Sequence, residues 1–214
     1  MVIVLFGKPG AGKGTQAPRL SASLAVPILA TGDVLRAAKR DGTRLGLEAK
    51  AYMDRGDLVP DEVILGIIKE AMAQPQFAGG AVLDGVVRTV PQAEGLKRVL
   101  ADLGRALDAV LVFDIEDDVI VQRIGGRTTC TVCQTPFMGY EPGAPCPKPE
   151  KDGGTLVRRR DDEPDAVRTR LEVFRRQTAP VLDWYACSGM KVATIDAVGT
   201  VDEVTARALA ALGL

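Results

Sequence analysis

At 214 residues the chain is long enough for one large domain with inserts and a substantial buried core. Its 46% hydrophobic and 26% charged residues are ordinary for a globular protein, and a formal net charge of −1 excludes a nucleic-acid binder that works by bulk charge. Histidine is absent, which excludes Ser-His-Asp and Cys-His catalysis outright.

The opening "VIVLF" (2–6) is a continuous apolar run, as expected of a strand covered on both faces. "GKPGAGKGTQ" (7–16) follows, and "KGTQAPRLSASL" (13–24) reads as a helix. Strand, glycine loop and helix are the context in which a phosphate cradle forms, with backbone N–H groups and a helix N-terminus aimed at an anion. The loop nearly spells G-x-x-x-x-G-K-[ST], but Gly14 stands where a hydroxyl normally holds Mg²⁺. A short strand is expected near "VPIL" (26–29). Residues 30–60 read as a charged insert of helical pieces, in which Asp33 and Arg36 of "ATGDVLR" share a helix face.

Helical patterns over 61–73, 91–103 and 117–124 alternate with the strands "AVLDG" (81–85) and "AVLVFDI" (109–115). Asp84 ends a buried strand beside the phosphate loop, the usual place for a carboxylate that helps hold Mg²⁺, with Arg88 and Gln92 just beyond. Residues 125–160, rich in Gly, Pro, Thr and Cys, read as a second insert. Arginines flank it: Arg123 and Arg127 before, Arg159 and Arg160 at its exit, Arg168 and Arg170 on the next helix. A helix over 164–185, a strand "VATID" (192–196) and a helix over 201–211 complete the pattern. The alternation predicts an α/β fold with a parallel five-stranded sheet flanked by helices.

No stretch approaches the ~18 consecutive apolar residues of a membrane span. The first ten residues, "MVIVLFGKPG", lack a basic n-region and a cleavage site, so a cytoplasmic protein is expected. Its four cysteines should then be thiols or metal ligands rather than disulfides. Cys130 and Cys133 form a C-x₂-C pair with Cys146 nearby, a set suited to structural Zn²⁺, whereas Cys187 in "WYACSG" reads as an idle thiol.

Together "GKPGAGKGTQ", "TGDVLR", "GDLVPDEV", "LDG..RT.PQA", "RIGGR" and "RRDDEPDAVRTRL" closely resemble adenylate kinase over essentially the whole chain. Members of that family carry Gly after the loop lysine, and their Mg²⁺ is held by phosphates and waters. The resemblance implies a P-loop NTPase-type core (1–29, 61–121 and 161–214), an AMP-binding insert (30–60) and a lid (122–160). It implies that ATP and AMP become two ADP. The ATP side would use Gly10, Ala11, Gly12, Lys13, Gly14, Thr15, Arg123, Arg127 and Gly199. The AMP side would use Thr31, Arg36, Gly56, Val59, Gly85, Arg88, Gln92, Arg159 and Arg170. Lys13, Asp84, Arg88, Arg123, Arg127, Arg159 and Arg170 would surround the moving phosphoryl group, with Asp33 and Asp84 near Mg²⁺ through water. Zinc-type lids of the family add a second ligand pair before Gly-Gly. Here that gives Cys130, Cys133, Cys146 and Asp152, with Pro149 where a third ligand is usual. A monomer is implied, without nucleic-acid or membrane partners.

Two departures stand out. Relatives have Phe-Pro where this chain has Val86-Val87, and the proline bond is expected to be cis; a cis Val–Val bond would cost about 2.5–4 kcal/mol, so a different turn or strain is expected here. Lost aromatic packing is expected to raise the AMP KM while ATP binding stays near normal. Lys8 replaces a small or imino residue and is expected to point to solvent. A kinase for another or broader set of nucleoside monophosphates is the alternative reading. A GTP switch lacks its N-K-x-D motif here, and an inert zinc-ribbon module would have no use for Lys13 and the arginines.

Overall fold

The computed structural model describes residues 1–40, 42–55, 57–148 and 153–214. Five parallel strands form the central sheet: β1 (Val2–Gly7), β2 (Ile28–Ala30), β3 (Ala81–Asp84), β4 (Ala109–Asp114) and, last in the chain, β8 (Val192–Asp196). Their spatial order is β2-β3-β1-β4-β8. The short strand expected at 26–29 starts two residues later and ends at Ala30.

The unbroken apolar run of β1 follows from cover on both faces. Val2, Val4 and Phe6 enter one core with residues of α4 (Asp61–Met72), α5 (Val90–Asp102) and α8 (Pro180–Cys187). Ile3 and Leu5, pointing the other way, pack with α1 (Lys13–Leu24), α6 (Asp117–Gly125), α7 (Pro164–Val173) and α9 (Val201–Leu212). Burial of two such layers, each CH₂ worth about 0.8 kcal/mol, fixes the strand ends that carry the site.

The helix expected over 164–185 is not continuous. Pro180 has no N–H to give the carbonyl four residues back, so the chain widens into a π-type turn over Phe174–Thr178. There the Ala179 N–H donates to the Phe174 carbonyl, five residues back, at 2.7 Å.

Helices α2 (Thr31–Arg40) and α3 (Arg44–Arg55) lie between β2 and α4. Beyond α6, three short antiparallel strands in the order β6-β5-β7 form a second sheet: β5 (Arg127–Cys130), β6 (Pro136–Met138) and β7 (Leu156–Val157). No helix among the described residues is long and apolar enough to cross a membrane.

Candidate active site

The carboxyl ends of β1, β3, β4 and β8 open onto one edge of the sheet, where open α/β folds bind ligands. The loop leaving β1 enters α1 through Gly12, whose φ of 95° is left-handed and suits glycine. No side chain caps this helix N-terminus, so its dipole faces the cleft. The Lys13 ammonium donates to the carbonyls of Gly7 at 2.7 Å and Lys8 at 2.9 Å. That leaves one of its three donors for a phosphate oxygen.

A cleft of about 540 Å³, well within the range of nucleotide-sized pockets, takes in Gly10 to Thr15, Asp33, Asp84, Arg123, Arg127, Arg159 and Gly199. A smaller pocket beside it is lined by Thr31, Val59, Gln92 and Asp161, among others. The two share Arg36, Gly85, Arg88 and Arg170. Expected Gly56 and Asp152 lie outside the described residues.

Gly14 sits against Asp84: a Cβ there would stand 3.4 Å from the Asp84 Oδ2. That is an ordinary van der Waals distance, so the carboxylate flanks the position without by itself requiring glycine there.

Charge is concentrated here. Burial lowers Lys13 to about 8, with Asp84 pulling it back up and Arg88, Arg170 and Arg127 lowering it further. Burial raises Asp84, opposed first by Lys13. Arg88 falls to about 10 through burial and then the charge of Arg170. Arg159 also falls to about 10, through burial and then Arg36. Beyond burial, the cations depress one another, as Arg170 does Arg88 and Arg36 does Arg159, and such crowding of positive charge suits a polyphosphate.

Two aspartates that the sequence reading did not single out organise the arginines. Asp162, with its side chain 2% exposed, takes a bidentate pair of bonds from Arg127, one of them 2.9 Å from Nε to Oδ2. Arg170 donates to the Asp161 carbonyl at 3.0 Å and its carboxylate at 3.1 Å, and lies 3.6 Å from Asp162. Burial works against ionised Asp161, yet Arg170, Arg36, Arg159 and Arg127 hold its carboxyl below the usual range. The doubled Asp in "RRDDEPD" was the only signal available. Arg36 pairs with Asp33, and Arg123 donates to the Ala197 carbonyl at 3.1 Å.

Several residues sit otherwise than the sequence suggests. Lys8 does not point to solvent: its ammonium donates to the Ile115 carbonyl at 2.9 Å and pairs with Asp117 at 2.9 Å, because β1 and β4 are neighbours and bring α6 alongside the loop. Among the described residues no peptide bond is cis, so Val86-Val87 turns with a trans bond while Gly85 takes φ 64°. Both valines are buried in the core. The Thr31 hydroxyl donates to the Gly85 carbonyl at 2.9 Å, and both ends of the Gln92 amide have protein partners.

In the smaller sheet, the sulfurs of Cys130, Cys133 and Cys146 all lie within 4.8 Å of one another, with Cys133 and Cys146 at 3.7 Å. Two thiolates each about 2.3 Å from a tetrahedral zinc would stand about 3.8 Å apart, so the spacing fits. The N–H groups of Val132 and Cys133 donate to the Cys130 sulfur at 3.3 and 3.4 Å. A Cβ on Gly154 would fall 2.3 Å from that sulfur, so glycine there keeps the cradle open. Cys187 is exposed at the end of α8.

The adenylate kinase family model matches residues 5–190. The chain is 61% identical over 212 residues to an adenylate kinase of Gemmatimonas aurantiaca, covering 99% of each chain. It is 50% identical over 218 residues to one of Streptomyces griseus, covering 99% of this chain and 97% of the relative. A third, from Lysinibacillus sphaericus, is 47% identical over 207 residues, covering 96% and 95%.

Proposed function

Because the chain belongs to the adenylate kinase family, we propose that it moves the terminal phosphoryl group of ATP to AMP, giving two ADP. The observation that carries this is the meeting of two pockets, one built on a phosphate loop, across the shared arginines Arg36, Arg88 and Arg170. A nucleotide switch needs one pocket; a transfer between two nucleotides needs two that meet.

ATP lies on the loop over Gly10 to Thr15, with Arg123 and Gly199 toward its base, and AMP fills the smaller pocket, its phosphate held by Arg36 and Arg88. An ionised AMP phosphate oxygen forms the new bond to the γ-phosphorus as the bond to the β–γ bridging oxygen breaks, and the electron pair leaves on ADP. No general base is required. The transition state spreads charge over equatorial oxygens, so catalysis consists of placing cations: Lys13, Arg88, Arg123, Arg127, Arg159 and Arg170. Mg²⁺ bound with ATP neutralises phosphate charge, and Asp84 and Asp33 would receive its waters. Residues 30–60 act as the AMP-binding insert and 122–160 as a lid over the core, and their closure excludes the water that would otherwise take the phosphoryl group. Cys130, Cys133 and Cys146, with Asp152, would hold a structural Zn²⁺ that stiffens a sheet with little core of its own. We place the enzyme in the cytoplasm as a monomer. The Val86-Val87 pair raises the AMP KM, read against the Val86→Phe/Val87→Pro variant.

Coupled assays with AMP, GMP, CMP and UMP test the acceptor, and Lys13→Met tests the cation cluster. ADP should form with AMP and fall by at least about 100-fold in the variant. Full ADP production by Lys13→Met would overturn the mechanism.

A further inference from the structure

The Gln92 amide lies at the pocket where the acceptor base is read, and its two ends are fixed by opposite kinds of partner. Its Oε1 accepts from the Arg88 backbone N–H at 2.8 Å, while its Nε2 donates to the Asp61 Oδ1 at 2.7 Å. A backbone N–H can only donate and a carboxylate can only accept. Only one of the two amide orientations therefore satisfies both partners. Turning the amide over would set oxygen against carboxylate and NH₂ against N–H, losing two bonds at a residue that is 1% exposed, where water cannot replace them. The same Asp61 oxygen accepts from the Thr89 hydroxyl at 3.0 Å, and Thr89 caps α5 by accepting from the Gln92 N–H at 3.2 Å. Asp61 opens α4, directly where the insert rejoins the core, so one carboxylate ties the insert's exit to the helix that carries Gln92.

We propose that Asp61 is a specificity-determining positioning residue: by locking the orientation of the Gln92 amide, it makes the pocket accept a 6-aminopurine and reject a 6-oxopurine. The locked amide keeps one free lone pair on Oε1 and one free hydrogen on Nε2. A 6-aminopurine presents a donor beside a ring-nitrogen acceptor and matches that pair. A 6-oxopurine presents an acceptor beside an N–H donor and meets oxygen with oxygen and hydrogen with hydrogen. Asp61 touches no substrate; it acts through Gln92. This rests on the AMP reading of the smaller pocket given above.

The test compares kcat/KM for AMP with that for IMP, which differs from AMP only in this donor–acceptor pair. Asp61→Ala removes one of the two partners that fix the amide and leaves only the Arg88 N–H to hold it, so the AMP:IMP preference should drop by about tenfold. Asp61→Asn keeps an acceptor oxygen and should restore the preference to near the parent value, which loss of a merely structural charge would not do. If Asp61→Ala does not fold, Asp61→Leu, with the same branching and no acceptor, gives the same readout. A ratio is insensitive to a general loss of active enzyme. An unchanged ratio in the folded Ala or Leu variant overturns the lock and leaves the AMP reading standing. A drop in Asp61→Asn equal to that in Asp61→Ala assigns the effect to charge and also overturns it. A parent enzyme that uses IMP as well as AMP overturns the base reading itself.

Discussion

Replacing Asp162 with asparagine should damage both stability and catalysis, and the structure separates the two. The carboxylate is 2% exposed and bidentate to Arg127, with Arg170 3.6 Å away. Asparagine keeps the volume and one acceptor but turns the other oxygen into an NH₂ that confronts the Arg127 Nε, now 2.9 Å from Oδ2. Breaking a buried pair by removing one partner costs about 3–5 kcal/mol; with one acceptor retained, about 3 kcal/mol is the expected loss. In a chain of this size that lowers Tm by about 6–12 °C. Arg127 and Arg170 also lose the anchor that fixes them around the transferring group, and a displacement near 1 Å costs about 100-fold in rate. Melting curves and steady-state ADP formation read the two effects, with the KM values for ATP and AMP changing less than kcat. A variant that melts within about 1 °C of the parent and turns over within about twofold would show that Asp162 does not position the arginines.

Lys13 falls to about 8 in the free site, so its positive charge is present below that pH and lost above it. The kcat/KM for ATP, which reports the free enzyme, should therefore decline above about pH 8, while kcat should hold to higher pH because bound phosphates keep the ammonium protonated. A flat kcat/KM profile up to about pH 10 would contradict this. Protein purified without chelator should carry about one zinc per chain, and Cys146→Ser should lose it along with thermal stability; less than about 0.3 zinc per chain in the parent would dismiss the metal site.

What the sequence makes plain is what its own neighbours determine. β1, β3, β4 and β8 are apolar runs bounded by Gly or Asp, and the phosphate loop is written in ten consecutive residues. What stays hidden depends on distant pairing. β6 has three residues and β7 two, too short for a period to show, and both exist only because β5 lies between them. Lys8 meets partners more than a hundred residues away, and Asp61 meets Gln92 across thirty-one, so neither has a local signature. The π-type turn was readable in principle from Pro180, whose effect on the preceding carbonyl is local.

The Lys8 contact bears on how the two nucleotides are kept in register. Asp117, at the first turn of α6, is gripped by Lys8 from the loop and by Arg175 from the turn after α7. Arg123 sits on that same helix, whereas Arg127 begins the small sheet beyond it. In the proposed cover of residues 122–160, Arg123 still belongs to that tethered helix and Arg127 to the small sheet, so a swing is expected to pivot in the three residues, 124–126, that separate them.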